Sequence, residues 1–184
     1  MTKKIRKTAF WIALGAAALL VPTFAAAESA ADIDQNVNSA LEALYAKSPS
    51  AKMMGDTAKG ILVFPGIYKA GFIVGGQYGE GALLMKGKTA GYYNTVQASF
   101  GLQFGAQKYG YALFFMTDSV INYLNKSDGW ELGAGLTIVV VDVGASGAAT
   151  STTMKSDVYA FFFNQQGLMA GPGIQGTKVS KIDK

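Results

Sequence analysis

The side chains that most often carry chemistry are the ones this chain lacks, since it contains neither histidine nor cysteine. That removes the group that titrates near neutral pH, the thiol nucleophile and nearly all nitrogen or sulfur metal ligation. Most hydrolytic and redox mechanisms lose their parts, so the chain reads as non-enzymatic, with no metal and no cofactor expected. The 12 acids are scattered, and no two stand in a glycosidase or calcium-loop arrangement. Asp32 and Asp34 read as a solvated helix start, where carboxylates are favoured by the helix dipole. The run Gly75-Gly76-Gln77-Tyr78-Gly79-Glu80-Gly81 invites comparison with a phosphate loop. It has no following helix, no Gly-Lys-Ser ending and no parallel βαβ context, and curved strand geometry explains it better.

What remains is a set of cations. Lys52, Lys59, Lys69, Lys86 and Lys88 are interleaved with apolar residues, a pattern that can present ammonium groups beside membrane-dipping side chains. Taken alone, they read first as ordinary surface lysines.

The elements that must position these groups begin with an amphipathic helix over Ser29 to Lys47, where Ile33, Val37, Ala40, Leu41 and Leu44 line one face. Ser48-Pro49 ends it and opens a second short helix, Pro49 to Lys59, with Gly60 as its left-handed stop. Strand signals follow. Ile61 to Phe64 is closed by Pro65-Gly66, and Tyr68 to Val74 alternates. Ala82 to Met85 leads to a turn at Lys86-Gly87-Lys88. Val96, Ala98, Phe100, Leu102 and Phe104 alternate with polar or small residues, which predicts one core face and one polar face. Tyr111 to Met116 is unbroken in its apolarity, as in a strand covered on both sides. A short helix from Asp118 or Ser119 to Leu124 comes next, then strands over Trp130 to Val143 and Val158 to Phe163. Gly144 to Ser156 is a loop or weak edge strand, and Leu168 to Gly171 pairs with Ile174 to Lys178 across Pro172-Gly173. The expected fold is α+β, with N-terminal helices packed on a strongly curved, mainly antiparallel β-sheet or partial β-barrel.

The first 27 residues have the composition of an export signal. MTKKIRK is basic, Thr8 to Val21 is apolar but short for a bilayer span, and Ala25 and Ala27 are small residues placed for a cut before Glu28. The expected division is therefore 1–27 signal peptide and 28–184 domain, giving a periplasmic or secreted protein peripheral to the membrane. Loss of Lys3, Lys4, Arg6 and Lys7 lowers the 16 basic residues to 12, all lysine, against 12 acids. A formally neutral body argues against binding nucleic acid through a general basic field.

Three stretches carry a resemblance: Ala58-Lys59-Gly60-Ile61-Leu62-Val63-Phe64-Pro65, Tyr68-Lys69-Ala70-Gly71-Phe72 and the Gly75 to Gly81 run. With Thr89 to Asn94, Ser99 to Gln107, Phe114 to Thr117, Trp130 to Gly133 and Gly167 to Gly171, they make the chain similar to the bacterial branch of the SYLF domain family. The resemblance implies lipid binding, with phosphoinositides and other anionic phospholipids as ligands of eukaryotic relatives, some of which also bind actin. For an exported chain neither phosphoinositides nor actin is expected, and the implied function is generic anionic phospholipid binding at the cell envelope. Position within the matching motifs singles out Lys59 and Lys69, with Lys52, Lys86 and Lys88 as neighbours. Two other readings stand beside this one: a structural or protein-interaction envelope domain that never touches lipid, and a small integral outer-membrane β-barrel.

Overall fold

Ser29 opens α1 (Ala30–Lys47) with a capping box: its hydroxyl accepts from the Asp32 N–H, and the Asp32 carboxylate accepts from the Ser29 N–H. The expected stripe of Ile33, Val37, Ala40, Leu41 and Leu44 is buried, each large member contributing about 1.5–3 kcal/mol. Asp34 is not simply solvated, because it accepts from the hydroxyls of Thr89 and Tyr92 and ties the helix to the sheet. Ser48 caps α2 (Pro49–Thr57) through the Ala51 N–H, but this helix stops short of Lys59. Extended Ala58 caps it, and Gly60 opens a strand instead of supplying a left-handed stop.

The computed structural model describes residues 28–71, 74–100, 105–126, 129–132, 137–141, 156–167 and 176–184. Residues 1–27, expected to be an export signal, the segment 144–155, the pairing across Pro172-Gly173 and the positions 101–104 lie outside them. Within them run β1 (Gly60–Gly71), β2 (Val74–Met85), β3 (Lys88–Phe100), β4 (Gly105–Phe115), α3 (Asp118–Lys126), β5 (Trp130–Glu131), β6 (Ile138–Val141), β7 (Val158–Gly167) and β8 (Lys178–Ile182). The strand order is β5-β8-β3-β2-β1-β4-β7-β6, antiparallel throughout except between β6 and β7. The fold is α+β, a strongly curled sheet forming a half-barrel with helices packed on it.

The curl is visible in one contact. Phe115 of β4 and Trp130 of β5 are five strand positions apart, about 24 Å in a flat sheet, yet their ring centroids are 5.9 Å apart. The face they share is therefore concave, and it holds one core with Leu62, Phe64, Tyr111 and Leu113, plugged by Val120, Ile121 and Leu124 of α3. The convex face holds a second core, where Ile61, Val63, Leu84, Phe114 and Phe161 pack under α1 and α2. Tyr111 to Phe115 is buried throughout because its side chains alternate between these two cores.

Three readings from the sequence need correction. Pro65-Gly66 does not end a strand; it sits in a bulge inside continuous β1, where the missing proline N–H costs no ladder bond. The stretch Trp130 to Val143 is not one strand, because its ends form β5 and β6 on opposite edges of the sheet. The alternation at 95–98 is present with its faces exchanged: Thr95 is fully buried, donating to or accepting from the Tyr111 hydroxyl at 3.0 Å, while Val96 is 45% exposed. Curling removes space on the concave side and favours a small hydroxyl with a partner there, leaving the valine outward.

The β1 bulge has a counterpart. β7 shifts register against β4 between Gly110 and Lys108, with Asn164 in the left-handed region at φ 53°. The two bulges lie at one level across β1, β4 and β7 and crease the sheet. Close approach at the crease demands glycine, since a Cβ at Gly81 would run into the Val63 carbonyl oxygen and the Phe64 ring.

Candidate functional site

Beyond the crease the convex face leaves the shelter of α1. Cross-strand register places Lys108, Tyr68, Tyr78, Val96 and Lys178 in one row across β4, β1, β2, β3 and β8. The next row outward is Ala106, Ala70, Gly76 and Ala98, all exposed. Val74 continues the apolar surface toward the hairpin tip. Tyr68 is 62% exposed, Val74 60% and Tyr78 47%, a contiguous apolar plate with one lysine at each lateral edge. Lys108 holds its ammonium 5.0 Å from the centre of the Tyr68 ring, an arrangement that keeps the cation at the border of the plate.

A cleft of about 660 Å³ separates α1 from the crease. Ala40 and Ala43 of α1 face Pro65, Gly66 and Gly79, and Tyr68, Tyr78 and Lys108 stand at the side open to the plate. The Glu80 side of the cleft carries a clasp. Lys184 donates to the Glu80 carboxylate at 2.7 Å and to the Glu28 carbonyl at 2.8 Å, and Tyr78 donates to the same carboxylate at 2.6 Å. The paired side chains are only 9% and 8% exposed. Burial works to raise the Glu80 carboxyl, but the hydrogen bonds from Lys184 and Tyr78 and the lysine charge outweigh it and hold the group below its ordinary value. Burial, together with the bond to Glu80, pushes the Tyr78 hydroxyl up to about 12.

The five lysines singled out by sequence do not share one surface. Lys59 precedes β1 and lies at the sheet end that carries the Lys86 to Lys88 turn, as the Ile61 to Leu84 register requires. Lys52 is engaged by Asp56 at 3.4 Å and by the Tyr45 ring. Lys69 lies about 30 Å along β1 from Lys59. It faces the concave side in a row with Gln77 and Gln107, where Gln77 joins Tyr109 to Thr177 and the buried Gln107 Oε1 has no partner among the described residues. Sequence reasoning missed Tyr68, Tyr78, Val96, Lys108 and Lys178 as one surface. The usable signal was Pro65 inside an apolar strand, which marks a bulge and therefore an inversion of facing downstream. Among the described residues, no group of three or more acidic side chains gathers to hold a metal ion.

A search of curated proteins gives no match to the chain. Residues 96–184 match the Ysc84 family model, described as Las17-binding protein actin regulator. That segment begins at Val96 of the apolar row and includes Lys108 and Lys178. Over these residues the chain is similar to the Ysc84 (SYLF) family, in agreement with the resemblance read in the motifs upstream.

Proposed function

We propose that this protein is a non-enzymatic, peripheral binder of anionic phospholipid surfaces at the bacterial cell envelope, exported by residues 1–27. The observation that carries this reading is the exposed row of Tyr68, Tyr78 and Val96 bounded by Lys108 and Lys178. Aromatic and aliphatic side chains enter the headgroup region while flanking ammonium groups meet lipid phosphates, each lysine contributing about 1 kcal/mol. Lys69 adds a cation on the concave side near the same sheet end. Lys59, Lys86 and Lys88 form a second basic edge at the other end, with Lys52 behind them already paired. The family description speaks of Las17 binding and actin regulation; an exported chain meets lipid instead. Packing of α1 and α2 over half the convex face argues against a transmembrane barrel, whose outer surface meets lipid all round.

The test is co-sedimentation of purified protein with phosphatidylglycerol or cardiolipin vesicles at low and high salt, phosphatidylcholine serving as the neutral control. Binding is expected to the anionic vesicles and to weaken with salt. Lys108→Gln with Lys178→Gln lowers affinity about 30-fold, two lysines' worth, and Tyr68→Asp with Tyr78→Asp abolishes it. A parallel set, Lys59→Gln with Lys86→Gln and Lys88→Gln, measures the opposite edge. Wild-type protein that ignores anionic vesicles at low salt would overturn the proposal and leave the protein-interaction reading, and unchanged binding by the first two variants would overturn the surface assigned to it.

A further inference from the structure

We infer that the cleft between α1 and the sheet crease takes one alkyl chain of an anionic amphiphile, a fatty acid or a lysophospholipid, with its acidic head at Lys108. This rests on reading the outer face as lipid-facing, and it adds a recessed, half-open subsite to what is otherwise surface contact. Three observations converge on it.

The first is volume and shape. A cleft of about 660 Å³ falls within the range of about 300–1,000 Å³ typical of small-molecule sites. It exists because both walls are built from small groups, Ala40 and Ala43 on the helix and Gly66 and Gly79 on the strands. The double bulge then turns the sheet away from the helix at that level. The second is continuity. Tyr68, Tyr78 and Lys108 line the cleft and also belong to the exposed row, so a chain leaving a lipid surface at the plate enters the cleft without crossing water. The third is charge. Glu80, which also lines the cleft, is matched by Lys184, whose ammonium also bonds the Glu28 carbonyl. Lys108 makes no ion pair among the described residues, and its stem lies along Gly66, which holds the ammonium at the rim. An acidic head is therefore drawn to Lys108, whose charge no carboxylate among the described residues matches. Asn164 lines the same cleft with no side-chain hydrogen bond among the described residues, available as a further donor.

The experiment is calorimetric titration of the purified protein with dodecanoate, with dodecanol and with a lysophosphatidylglycerol, each below its micelle concentration. Saturable one-to-one binding of dodecanoate is expected, about 10- to 100-fold tighter than dodecanol because a charge-assisted bond is lost in the alcohol. Tight lysolipid binding alongside it identifies the source as a lipid headgroup; dodecanoate alone identifies a free fatty acid. Ala43→Trp fills the cleft and abolishes binding, and Ser39→Trp, at an exposed position on the same wall, does so without disturbing the helix core. Lys108→Gln brings dodecanoate down to the affinity of dodecanol. Equal binding of acid and alcohol by wild type, or undiminished binding by both tryptophan variants, overturns the inference. The tryptophan variants retain vesicle binding if the plate alone carries it, so loss of chain uptake with vesicle binding intact distinguishes the cleft from the surface. Chain uptake by a protein that ignores vesicles rejects surface docking alone.

Discussion

Replacing Glu80 by glutamine tests how the clasp is held. The variant leaves the Lys184 ammonium, 9% exposed in the pair, with only the Glu28 carbonyl and a neutral amide for company. Exposed ion pairs contribute about 0–1 kcal/mol, and stripping one partner from a fully buried pair costs about 3–5 kcal/mol. A nearly enclosed pair whose lysine keeps one acceptor lies between, at about 2 kcal/mol. For a chain of this size each kcal/mol moves the unfolding midpoint by about 2–4 °C, so Glu80→Gln lowers Tm by about 4–8 °C at pH 7. The pH dependence has a definite sign. The folded-state carboxyl is held below its ordinary value of 4.5, so its stabilisation is complete above that value and is lost as pH falls through the lowered one. Thermal melts followed by circular dichroism should show the gap between wild type and Glu80→Gln open at pH 7 and closing at pH 3. Adding Lys184→Met to the variant recovers part of the loss, because it removes the orphaned charge. Equal midpoints at pH 7, or a gap that persists unchanged at pH 3, would refute the clasp.

At the crease, Gly81→Ala forces a Cβ against the Val63 carbonyl and costs about 1–3 kcal/mol, read as a lower urea midpoint; an unchanged midpoint would show that the strands there are not in close contact. Burial pushes Tyr45, Tyr78 and Tyr109 each up to about 12. Their neutral forms therefore stabilise the fold below the ordinary value of 10.0, and that contribution disappears as pH rises from there toward about 12. Absorbance at the tyrosinate band should show late titration coupled to alkaline unfolding, and nine tyrosines titrating together near 10 with the fold intact would contradict it.

The helices were legible because their signals are local: the Ser29 and Asp32 box, the apolar stripe from Ile33 to Leu44 and the Ser48-Pro49 junction all lie within a turn or two of what they determine. The unbroken apolar run Tyr111 to Phe115 reported burial on both faces for a similar reason, since it needs no knowledge of its partners. The candidate surface was harder. Whether Val96 or Thr95 faces inward depends on the curl of the whole sheet and on a tyrosine sixteen positions downstream. Lys108 and Lys178 stand at the two edges of one apolar plate only because five strands align in register. Lys59 and Lys69, close in sequence, were parted by the length of the strand between them. Trp130 and Val141 separated to opposite edges because the barrel stays open, which no pattern within that stretch encodes.

The paired bulges divide the convex side into a portion that must fit something and a portion that need not. Below the fold line, Ile61, Val63 and Phe114 interlock with helices, and any replacement there answers to its neighbours. Above it, Ala70, Val74 and Ala98 are exposed and no helix among the described residues lies over them, so a change in their size or polarity alters the outer surface while leaving the packing alone. Such a division lets the outer surface vary in sequence while the half that packs under the helices stays constant.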